Sequence, residues 1–352
     1  MTELHLVTGG AGYFGSLLVE RLVSAGKRVR VLDVAELEVS SATASVDFVR
    51  ADIRDARAVQ RACEGASVVH HNVALVPLAK EKSAFYAVNR DGTENMLRAA
   101  RKAGVRKVVH MSSSAVFGAP DRNPVDESTP PRPQEDYGRA KLQAEELCLV
   151  EAARDLDVTI IRPRTILGHG RLGIMQVLFE WVRRGRNVPV FDGGDNVYQF
   201  VHASDLADAC LLAAERPGPR VYNIGAKRFG PMKETLAGLV LHANTGSAVV
   251  SVPSAPVQAM MKVTSQLGLS PLGPYHALMY GRSMYFDTIR AETELGWSAR
   301  YGNVEMICES YDWYLEHRTE VLGRTGASHH RSPVRQGALR AASVALTFAS
   351  RV

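Results

Sequence analysis

The amino-acid sequence predicts an α/β protein, a doubly wound parallel sheet with a smaller C-terminal lobe interleaved with it. Two observations support this fold class. Short apolar, β-branched runs alternate with helical segments through the first half of the chain, which is the pattern of βαβ units. The chain also has 352 residues, more than one hydrophobic core usually contains, which favours an attached second lobe.

The predicted elements follow one another in a regular order. Strands are expected at residues 4–8, 29–33, 47–51, 67–71, 107–112 and 158–162. Helices are expected between them at residues 15–25, 56–63, 88–103 and 137–154. Beyond residue 163 the pattern loosens, and the sequence predicts helices at 174–183 and 203–215 and a strand at 220–224. A Met-, Leu- and Pro-rich stretch at 253–280 is expected to pack in a core, with an apolar pocket as the alternative.

The excess of positive charge lies at the carboxyl end of the chain. The formal net charge is +5, and five arginines with no acidic residue among them follow Glu320, namely Arg324, Arg331, Arg335, Arg340 and Arg351. Residues 1–320 are therefore balanced, which argues against a nucleic-acid-binding protein. We interpret residues 321–352 as a basic, flexible tail, with a docking role toward an acidic partner as the alternative.

The cysteines and the apolar runs indicate the cellular compartment in which the protein is expected. Four cysteines are scattered along the chain with no CxxC pair and no metal-ligand spacing, at Cys63, Cys148, Cys210 and Cys308. This usage predicts reduced thiols and no metal site. The first strand begins at residue 4, which leaves no room for a signal peptide, and the apolar runs end before the roughly 20 residues that a membrane span needs. We therefore expect a cytoplasmic protein that does not bind membranes.

A glycine-rich turn follows the first predicted strand and opens the first helix. In the segment TGGAGYFG, residues 8–15, Gly9, Gly12 and Gly15 let the backbone approach a pyrophosphate closely. The helix N-terminus adds free N–H groups and partial positive charge. The turn therefore predicts a dinucleotide cofactor at the carboxyl ends of the strands.

Acidic residues at the ends of the next two strands are expected at the adenosine end of this cofactor. Asp33 lies 18 residues beyond Gly15, close to the roughly 20 typical of the carboxylate that binds the ribose. Its charge would repel a 2′-phosphate, so we predict NAD; three nearby arginines keep NADP open, Arg28, Arg30 and Arg54. A turn or cap role is the alternative for Asp33. We expect Asp52 and Ile53 to contact the adenine.

Tyr137 and Lys141 form the predicted catalytic pair. A spacing of four residues places them on one face of a helix. An adjacent ammonium lowers the pKa of a phenol toward the range in which it acts as a base. Ser112, Ser113 and Ser114 follow the fifth predicted strand at the same edge of the sheet. A hydroxyl there is suited to bind the substrate oxygen while the tyrosine transfers its proton.

Asn89 stands near the start of the predicted helix 88–103. A helix cap and a position beside the cofactor are equally open for this side chain.

Together these motifs resemble the extended short-chain dehydrogenase/reductase family, in particular its nucleotide-sugar epimerase and dehydratase branch. The resemblance runs from about residue 4 to about residue 318. Besides the glycine turn it includes VNRDGT at 88–93, SSSAVFG at 112–118, YGRAK at 137–141, RP at 162–163 with ILG at 166–168, FVHASDLA at 200–207 and ELGW at 294–297.

The resemblance implies a division of the chain and roles for its residues. It implies an NAD-binding Rossmann domain at 1–165, with returning segments at about 200–224, and a mainly substrate-binding lobe at 166–320. Tyr137 would be the acid/base, Lys141 would bind the nicotinamide ribose, and Ser113 would assist. The implied cofactor contacts are Gly9, Gly12, Tyr13, Phe14, Gly15, Asp33, Asp52, Ile53, Val73, Ala74, Asn89, Ser112, Tyr137, Lys141 and Pro163. A homodimer is implied by family analogy, through the helices 88–103 and 137–154.

Two departures from the family pattern narrow the expected reaction. Sugar dehydratases place an acid directly after the assisting hydroxyl, whereas this chain has Ser114 and then Ala115. Members that bind nucleotide diphosphates often carry an arginine at the position of Tyr198. Substrate contacts are therefore expected from Ser114 and Tyr198, and the missing charge from Arg164, Arg171 or Arg282, each of which is equally plausible as a structural or surface arginine.

Three functions are compatible with these features of the sequence. The first is an NAD-dependent nucleotide-sugar epimerase, acting at C4, that oxidises the sugar transiently to a keto-sugar with Tyr137 as acid/base. The second is an NAD(P)-dependent dehydrogenase or ketoreductase of a secondary alcohol on a less polar metabolite. The third is a non-catalytic NAD-binding protein, which the presence of all three catalytic residue types disfavours.

Overall fold

The computed structural model describes residues 3–37, 45–76, 82–170, 174–259 and 281–323. Three features named above lie outside these ranges: Arg171, most of the stretch 253–280, and the tail beyond residue 323.

Within the described residues, seven parallel strands form one sheet. They are β1 (Leu4–Thr8), β2 (Arg28–Asp33), β3 (Asp47–Arg50), β4 (Val68–His71), β5 (Lys107–Met111), β6 (Val158–Pro163) and β11 (Arg220–Ile224). Their order across the sheet is β11-β6-β5-β4-β1-β2-β3. The order in which strands are added reverses between β1 and β4, since β2 and β3 lie on one side of β1 and the later strands on the other. A doubly wound sheet binds ligands at such a switch point. The predicted fold class is confirmed.

Helices connect these strands and cover both faces of the sheet. They are α1 (Tyr13–Ser24), α2 (Ala56–Cys63), α3 (Lys82–Phe85), α4 (Gly92–Lys102), α5 (Asp136–Ala152), α6 (Ile174–Arg183), α7 (Ala203–Glu215), α8 (Met232–Ala243), α9 (Ile289–Leu295) and α10 (Asn303–Gly323). Because both faces are covered, β1, β5 and β6 are buried along their whole length. Helices α1 and α7 pack on one face with Leu18 and Leu206, and α2, α4 and α5 on the other with Val59, Met96 and Cys148.

The second half of the chain adds short strands in pairs. These are β7 (Thr165–Leu167), β8 (Val188–Phe191), β9 (Val197–Tyr198), β10 (Phe200–His202), β12 (Gly230–Pro231) and β13 (Val249–Val252). They pair as β10 with β7, β12 with β9 and β13 with β8. Phe179, Leu236 and Tyr314 pack in a separate core between α6, α8 and α10. Between β10 and β12 the chain returns to the main sheet through α7, because β11 pairs with β6.

The largest difference from the predicted elements lies before β5. The helix predicted at 88–103 is longer and irregular: α3 leads into a π-helical stretch, Tyr86–Asp91, and then into α4. Asn89 is fully buried inside that stretch and is not a helix cap. Most of the other predicted bounds fall within two residues of the structure, and those at 56–63, 174–183, 203–215 and 220–224 match it.

Three broader properties follow from the described residues. No helix among them is long and apolar enough to cross a membrane. They contain no cluster of His, Cys, Asp or Glu suited to hold a metal ion. The four cysteines are unpaired, and Cys63, Cys148 and Cys210 are buried.

Candidate active site

The predicted site residues converge at one edge of the main sheet. The glycine turn follows β1, Asp33 ends β2, Asp52 and Ile53 come after β3, and Val73 with Ala74 comes after β4. Ser112 to Ser114 follow β5, and Pro163 ends β6. All these strands are parallel and neighbouring, so their carboxyl ends lie side by side. The sheet thus brings together segments that are far apart in sequence.

The glycine turn has the close packing that a pyrophosphate cradle requires. Gly9 has φ +73°, and a Cβ on Gly15 would lie 2.0 Å from the Gly9 carbonyl oxygen. A side chain at either position would therefore distort the turn. Gly12 caps α1 and offers no side-chain acceptor to the first-turn N–H groups, which suits an anion at this helix N-terminus. These residues fit the phosphates of NAD.

Asp33 lies directly against this turn. Its Oδ2 accepts a hydrogen bond from the Ala11 N–H at 3.0 Å, and its Oδ1 accepts one from the Ala35 N–H at 3.0 Å. Two of the three arginines that kept NADP open pair with carboxylates of the chain: Arg30 donates to Asp47 at 2.6 Å, and Arg54 donates to Asp52. This arrangement leaves a carboxylate, rather than a cation, beside the turn.

The expected adenine contacts have partners within the chain. The pKa of the Asp52 carboxyl lies below its ordinary value, chiefly because the Arg54 side chain donates hydrogen bonds to it. Ile53 is buried, and its side chain packs against Gly92 at the start of α4. Both residues follow β3 closely, and their contact with adenine stays a prediction.

Asn89 organises the loop after β4. Its Oδ1 accepts from the Leu75 N–H at 2.8 Å, and its Nδ2 donates to the Leu75 carbonyl at 3.0 Å. The same loop reaches the glycine turn, since a Cβ on Gly9 would lie 2.9 Å from the Val73 nitrogen. Asn89 therefore fixes the segment that contains Val73 and Ala74, a role that sequence spacing did not indicate.

Tyr137 is held in the first turn of α5. Glu135 caps this helix by accepting from the Tyr137 N–H at 2.8 Å and the Gly138 N–H at 2.6 Å. Gly138 lets the helix lie against the serine turn, because a Cβ there would stand 2.5 Å from the Ala115 carbonyl oxygen. The Tyr137 ring packs edge-on against Phe85 and is 8% exposed. The first turn of α5, which carries Tyr137, thus lies against the turn that follows Ser113.

Lys141 lies one helical turn beyond Tyr137 and is 1% exposed. Its Nζ donates to the Met111 carbonyl at 2.7 Å, which ties α5 to the end of β5. Burial lowers the pKa of the Lys141 ammonium to about 8, and the nearby Glu145 carboxylate partly offsets this effect. A lysine with such a pKa changes charge close to the working pH.

The three serines take different partners. Ser112 donates to the Glu145 carboxylate. Ser113 begins the short 3-10 turn Ser114–Phe117, and its Oγ accepts from the Ala115 N–H at 3.2 Å. Ser114 is buried and accepts from Arg164 Nη1 at 3.0 Å. Ser113 alone of the three is half-buried rather than buried, which suits the role expected of it toward substrate.

Glu145 and Arg162 form a buried ion pair that sequence analysis missed. Arg162 Nε donates to Glu145 Oε1 at 2.9 Å, and Arg162 Nη2 donates to Glu145 Oε2 at 2.5 Å. Glu145 stands four residues after Lys141, on the same face of α5. Extending the Tyr137–Lys141 spacing by one more turn would have found it.

The residues expected to contact the substrate differ in burial and in their partners. Tyr198 is buried, and its hydroxyl shares a hydrogen bond with Thr165 at 2.8 Å. Arg164 is buried with its Cζ 4.6 Å from the centre of the Tyr198 ring. Arg282 is exposed, and Arg171 is outside the described residues. Of the three arginines proposed to replace the missing charge, Arg164 therefore has a contact with the serine turn.

Comparison with known proteins bears on this arrangement. The NAD dependent epimerase/dehydratase family matches residues 5–225, more than half of the chain. The chain belongs to this family. The predicted recognition, the expectation of an enzyme of epimerase type and NAD as the cofactor are confirmed.

Relatives within this family include proteins of different activities. The chain is 50% identical over 96% of its length to the uncharacterized protein y4nG of Sinorhizobium fredii, covering 84% of that protein. It is 29% identical to UDP-glucose 4-epimerase of Mycolicibacterium smegmatis, over 88% of this chain and 97% of that one. It is 31% identical to a quinoline-oxide ketoreductase of Stigmatella aurantiaca, over 84% of this chain and 91% of that one.

Among solved structures, MoeE5 is similar throughout. In complex with UDP-glucose and NAD it has a TM-score of 0.73 and 28% identity, covering 89% of this chain and 99% of that one. It has also been solved with UDP-glucuronic acid and NAD, with a TM-score of 0.72. The similarity in fold therefore extends beyond the main sheet into the second half of the chain.

Proposed function

We propose that this protein is an NAD-dependent nucleotide-sugar epimerase that inverts C4 of the sugar through a transient 4-keto-sugar. One observation carries the proposal: the start of α5, with Tyr137 and Lys141, lies against the turn after β5 that contains Ser113, at the sheet edge that also holds the glycine turn. The similarity to UDP-glucose 4-epimerases and to MoeE5 supports a nucleotide sugar as the substrate.

Each catalytic residue has a defined task in this reaction. Tyr137 removes the proton from the C4 hydroxyl and returns it after the keto-sugar has presented its other face. Lys141 favours the phenolate form of Tyr137 by its positive charge. Ser113 donates a hydrogen bond to the C4 oxygen as its charge develops. Bound NAD supplies a hydride acceptor and donor, so that no net redox change results.

The residues that hold the cofactor are proposed from the same edge of the sheet. The turn residues would contact the phosphates, Asp33 the adenosine ribose, and Lys141 the nicotinamide ribose. The full proposed set is Gly9, Gly12, Tyr13, Phe14, Gly15, Asp33, Asp52, Ile53, Val73, Ala74, Asn89, Ser112, Tyr137, Lys141 and Pro163.

A second candidate is an NAD(P)-dependent ketoreductase or dehydrogenase of a less polar alcohol. Tyr198 at the position of a phosphate-binding arginine favours it, as does the similarity to the ketoreductase of Stigmatella aurantiaca. The same three residues would transfer the proton, but the cofactor would exchange with each turnover. A non-catalytic NAD-binding role is a distant third, because nothing in the catalytic set is missing.

Assembly and compartment are proposed with the same function. A homodimer through α4 and α5 is supported by two apolar side chains that α5 exposes, Leu149 at 53% and Val150 at 48%. Light scattering on the protein and on a Leu149→Asp variant tests it, and an unchanged monomeric mass in both would refute it. A cytoplasmic location is proposed from the unpaired cysteines.

The two candidate reactions are separated by their need for added cofactor. The purified protein is expected to carry NAD and to interconvert a UDP-hexose with its C4 epimer when no cofactor is added. A Tyr137→Phe variant serves as the control, because it removes only the phenolic oxygen. Stoichiometric formation of NADH with an alcohol substrate would favour the ketoreductase instead.

A further inference from the structure

Arg164 is a buried cation whose charge has no counterpart among the described residues. It is 1% exposed, and its backbone N–H donates to the Ile224 carbonyl at 2.9 Å, which fixes it at the end of the sheet. Its Nη1 donates to Ser114 Oγ. Its Nε and Nη2 are buried without a hydrogen-bond partner. Two unpaired donors on a buried guanidinium are costly unless an acceptor fills them.

The surroundings of Arg164 are aromatic rather than acidic. Its Cζ lies 4.6 Å from the Tyr198 ring centre and 5.7 Å from that of Phe286. These rings contribute cation–π attraction to the flat faces of the guanidinium but accept no hydrogen bond at its edge. No carboxylate of the described part of the chain pairs with Arg164. The negative charge for this position must therefore come from elsewhere.

Arg162, two residues earlier, shows which group matches the unpaired edge. Its Nε and Nη2 bind the two carboxylate oxygens of Glu145 as a fork. The donors left over on Arg164 are the same pair, Nε and Nη2. This edge of a guanidinium is matched by two oxygens of one planar anion.

Ser114 sets the position of that anion in the active site. It follows Ser113, whose hydroxyl we assign to the reacting C4 oxygen, and consecutive Cα atoms are about 3.8 Å apart. Arg164 is thus joined to the turn that meets the reacting ring. An acidic group attached to that ring, next to C4, lies closer to this turn than the rest of the nucleotide does.

We propose that Arg164 binds a carboxylate carried by the sugar, so that the preferred substrate is a nucleotide-linked uronic acid rather than a neutral hexose. The inference rests on the proposed epimerase function and names its substrate class. Arg164 acts here as a specificity residue, because its Nε and Nη2 donate to two carboxylate oxygens while Ser114 accepts from its Nη1. A phosphate of the nucleotide has similar chemistry, and the experiment separates the two sources.

The test compares UDP-glucuronic acid with UDP-glucose on the NAD-containing protein. The two probes share the nucleotide and the phosphates and differ only at C6, where one has a carboxylate. We expect the wild type to favour the acid at least about tenfold in kcat/KM, since charge-assisted hydrogen bonds are involved. An Arg164→Met variant is expected to lose about tenfold or more on the acid and to lose its preference for it. Arg164→Lys is expected to restore part of that preference.

Matched controls make each outcome decisive. Arg98→Met makes the same change on the exposed side of α4 and is expected to keep the preference of the wild type. Equal losses on both sugars in Arg164→Met would mean that Arg164 binds a phosphate, and would overturn the proposal. An unchanged preference would overturn it too. If Arg164→Met does not fold, the preference of the wild type and of Arg164→Lys decides.

Failure of this inference differs from failure of the proposed function. Tight, Arg164-dependent binding of UDP-glucuronic acid without epimer formation, measured by calorimetry, would support the inference and remove the proposed reaction. Epimerisation of UDP-glucose with no preference for the acid would keep the reaction and refute the inference.

Discussion

Two arginines on either side of Pro163 differ in what surrounds them. Arg162 is buried against the catalytic helix and is paired with Glu145, which also accepts from Ser112. Arg164 is buried beside Tyr198, which belongs to the separate core of α6, α8 and α10, here called the lobe. Ser114 accepts from one of its nitrogens, and two others stay unpaired. We refer below to these two regions as the catalytic side and the lobe side.

The difference lies in whether the buried arginine is paired within the chain or requires a ligand to pair it. On the catalytic side each buried charge has a partner within the chain, so Tyr137 and Lys141 are fixed before any substrate arrives. On the lobe side Arg164 keeps two unpaired donors, which the proposed carboxylate of the substrate would satisfy. When catalytic residues and substrate-binding residues are separate, the same catalytic residues can act on different substrates. The relatives of this chain do have different activities.

The largest expected effect comes from removing the phenol on the catalytic side. Tyr137→Phe should lower kcat by about a thousandfold, because general acid–base catalysis contributes on that order. The ring would still pack against Phe85, so NAD content and unfolding midpoint should match those of the wild type. Turnover measured beside these two controls checks the prediction, and a loss under tenfold would remove Tyr137 from the proposed role.

The two arginines should differ in their effect on stability. Arg162→Met leaves Glu145 buried without its partner and should lower the free energy of unfolding by about 3–5 kcal/mol. Arg164→Met leaves no charge behind, so its effect should stay within about 1 kcal/mol. Denaturant unfolding of both variants measures the difference. Equal destabilisation would mean that Arg164 is a structural residue and that the two sides do not differ.

A smaller effect is expected where the catalytic side meets the serine turn. Gly138→Ala introduces a Cβ that would lie 2.5 Å from the Ala115 carbonyl oxygen. Helix α5 must then move away from Ser113, which should lower kcat by about tenfold while NAD stays bound. Ala itself favours the helix, so steady-state kinetics at wild-type rates would show that this close approach does not position Tyr137.

The smallest expected effect is a change with pH. Burial lowers the pKa of the Lys141 ammonium to about 8, so its positive charge disappears as pH rises through that value. Because the charge favours the Tyr137 phenolate, kcat/KM should fall above about pH 8, by up to about tenfold per pH unit. A pH profile checks this, and a kcat/KM that is constant from pH 7 to pH 10 would contradict it.

The features that could be predicted from the sequence are those encoded by local patterns. Alternating apolar runs and turns placed the strands and helices of the main sheet, and the glycines marked the turn after β1. The sheet topology then brings Asp33, Ser113 and Tyr137 to one edge, because all their strands run in the same direction. The fold and the cofactor therefore followed from local patterns, and the enzyme class followed from the resemblance that the motifs carry.

The remaining features depend on contacts between segments far apart in sequence. Asn89 lies inside a π-helical stretch and forms a hydrogen bond with Leu75 in the loop after β4. No helix-capping pattern predicts this contact. Arg164 and Tyr198 lie just before β7 and β10, and the pairing of these two strands brings them together. Sequence spacing gave no reason to choose Arg164 over Arg282 as the cation of the substrate site, since exposure decides between them.

In the proposed reaction the hydride returns to the sugar from which it came. This return can be followed by NMR with a UDP-sugar that carries deuterium at C4, incubated with the purified protein and no added cofactor. We expect the C4 epimer to form with its deuterium retained at C4. Appearance of deuterium in released NADH, together with an accumulating keto product, would contradict it and identify the protein as a dehydrogenase.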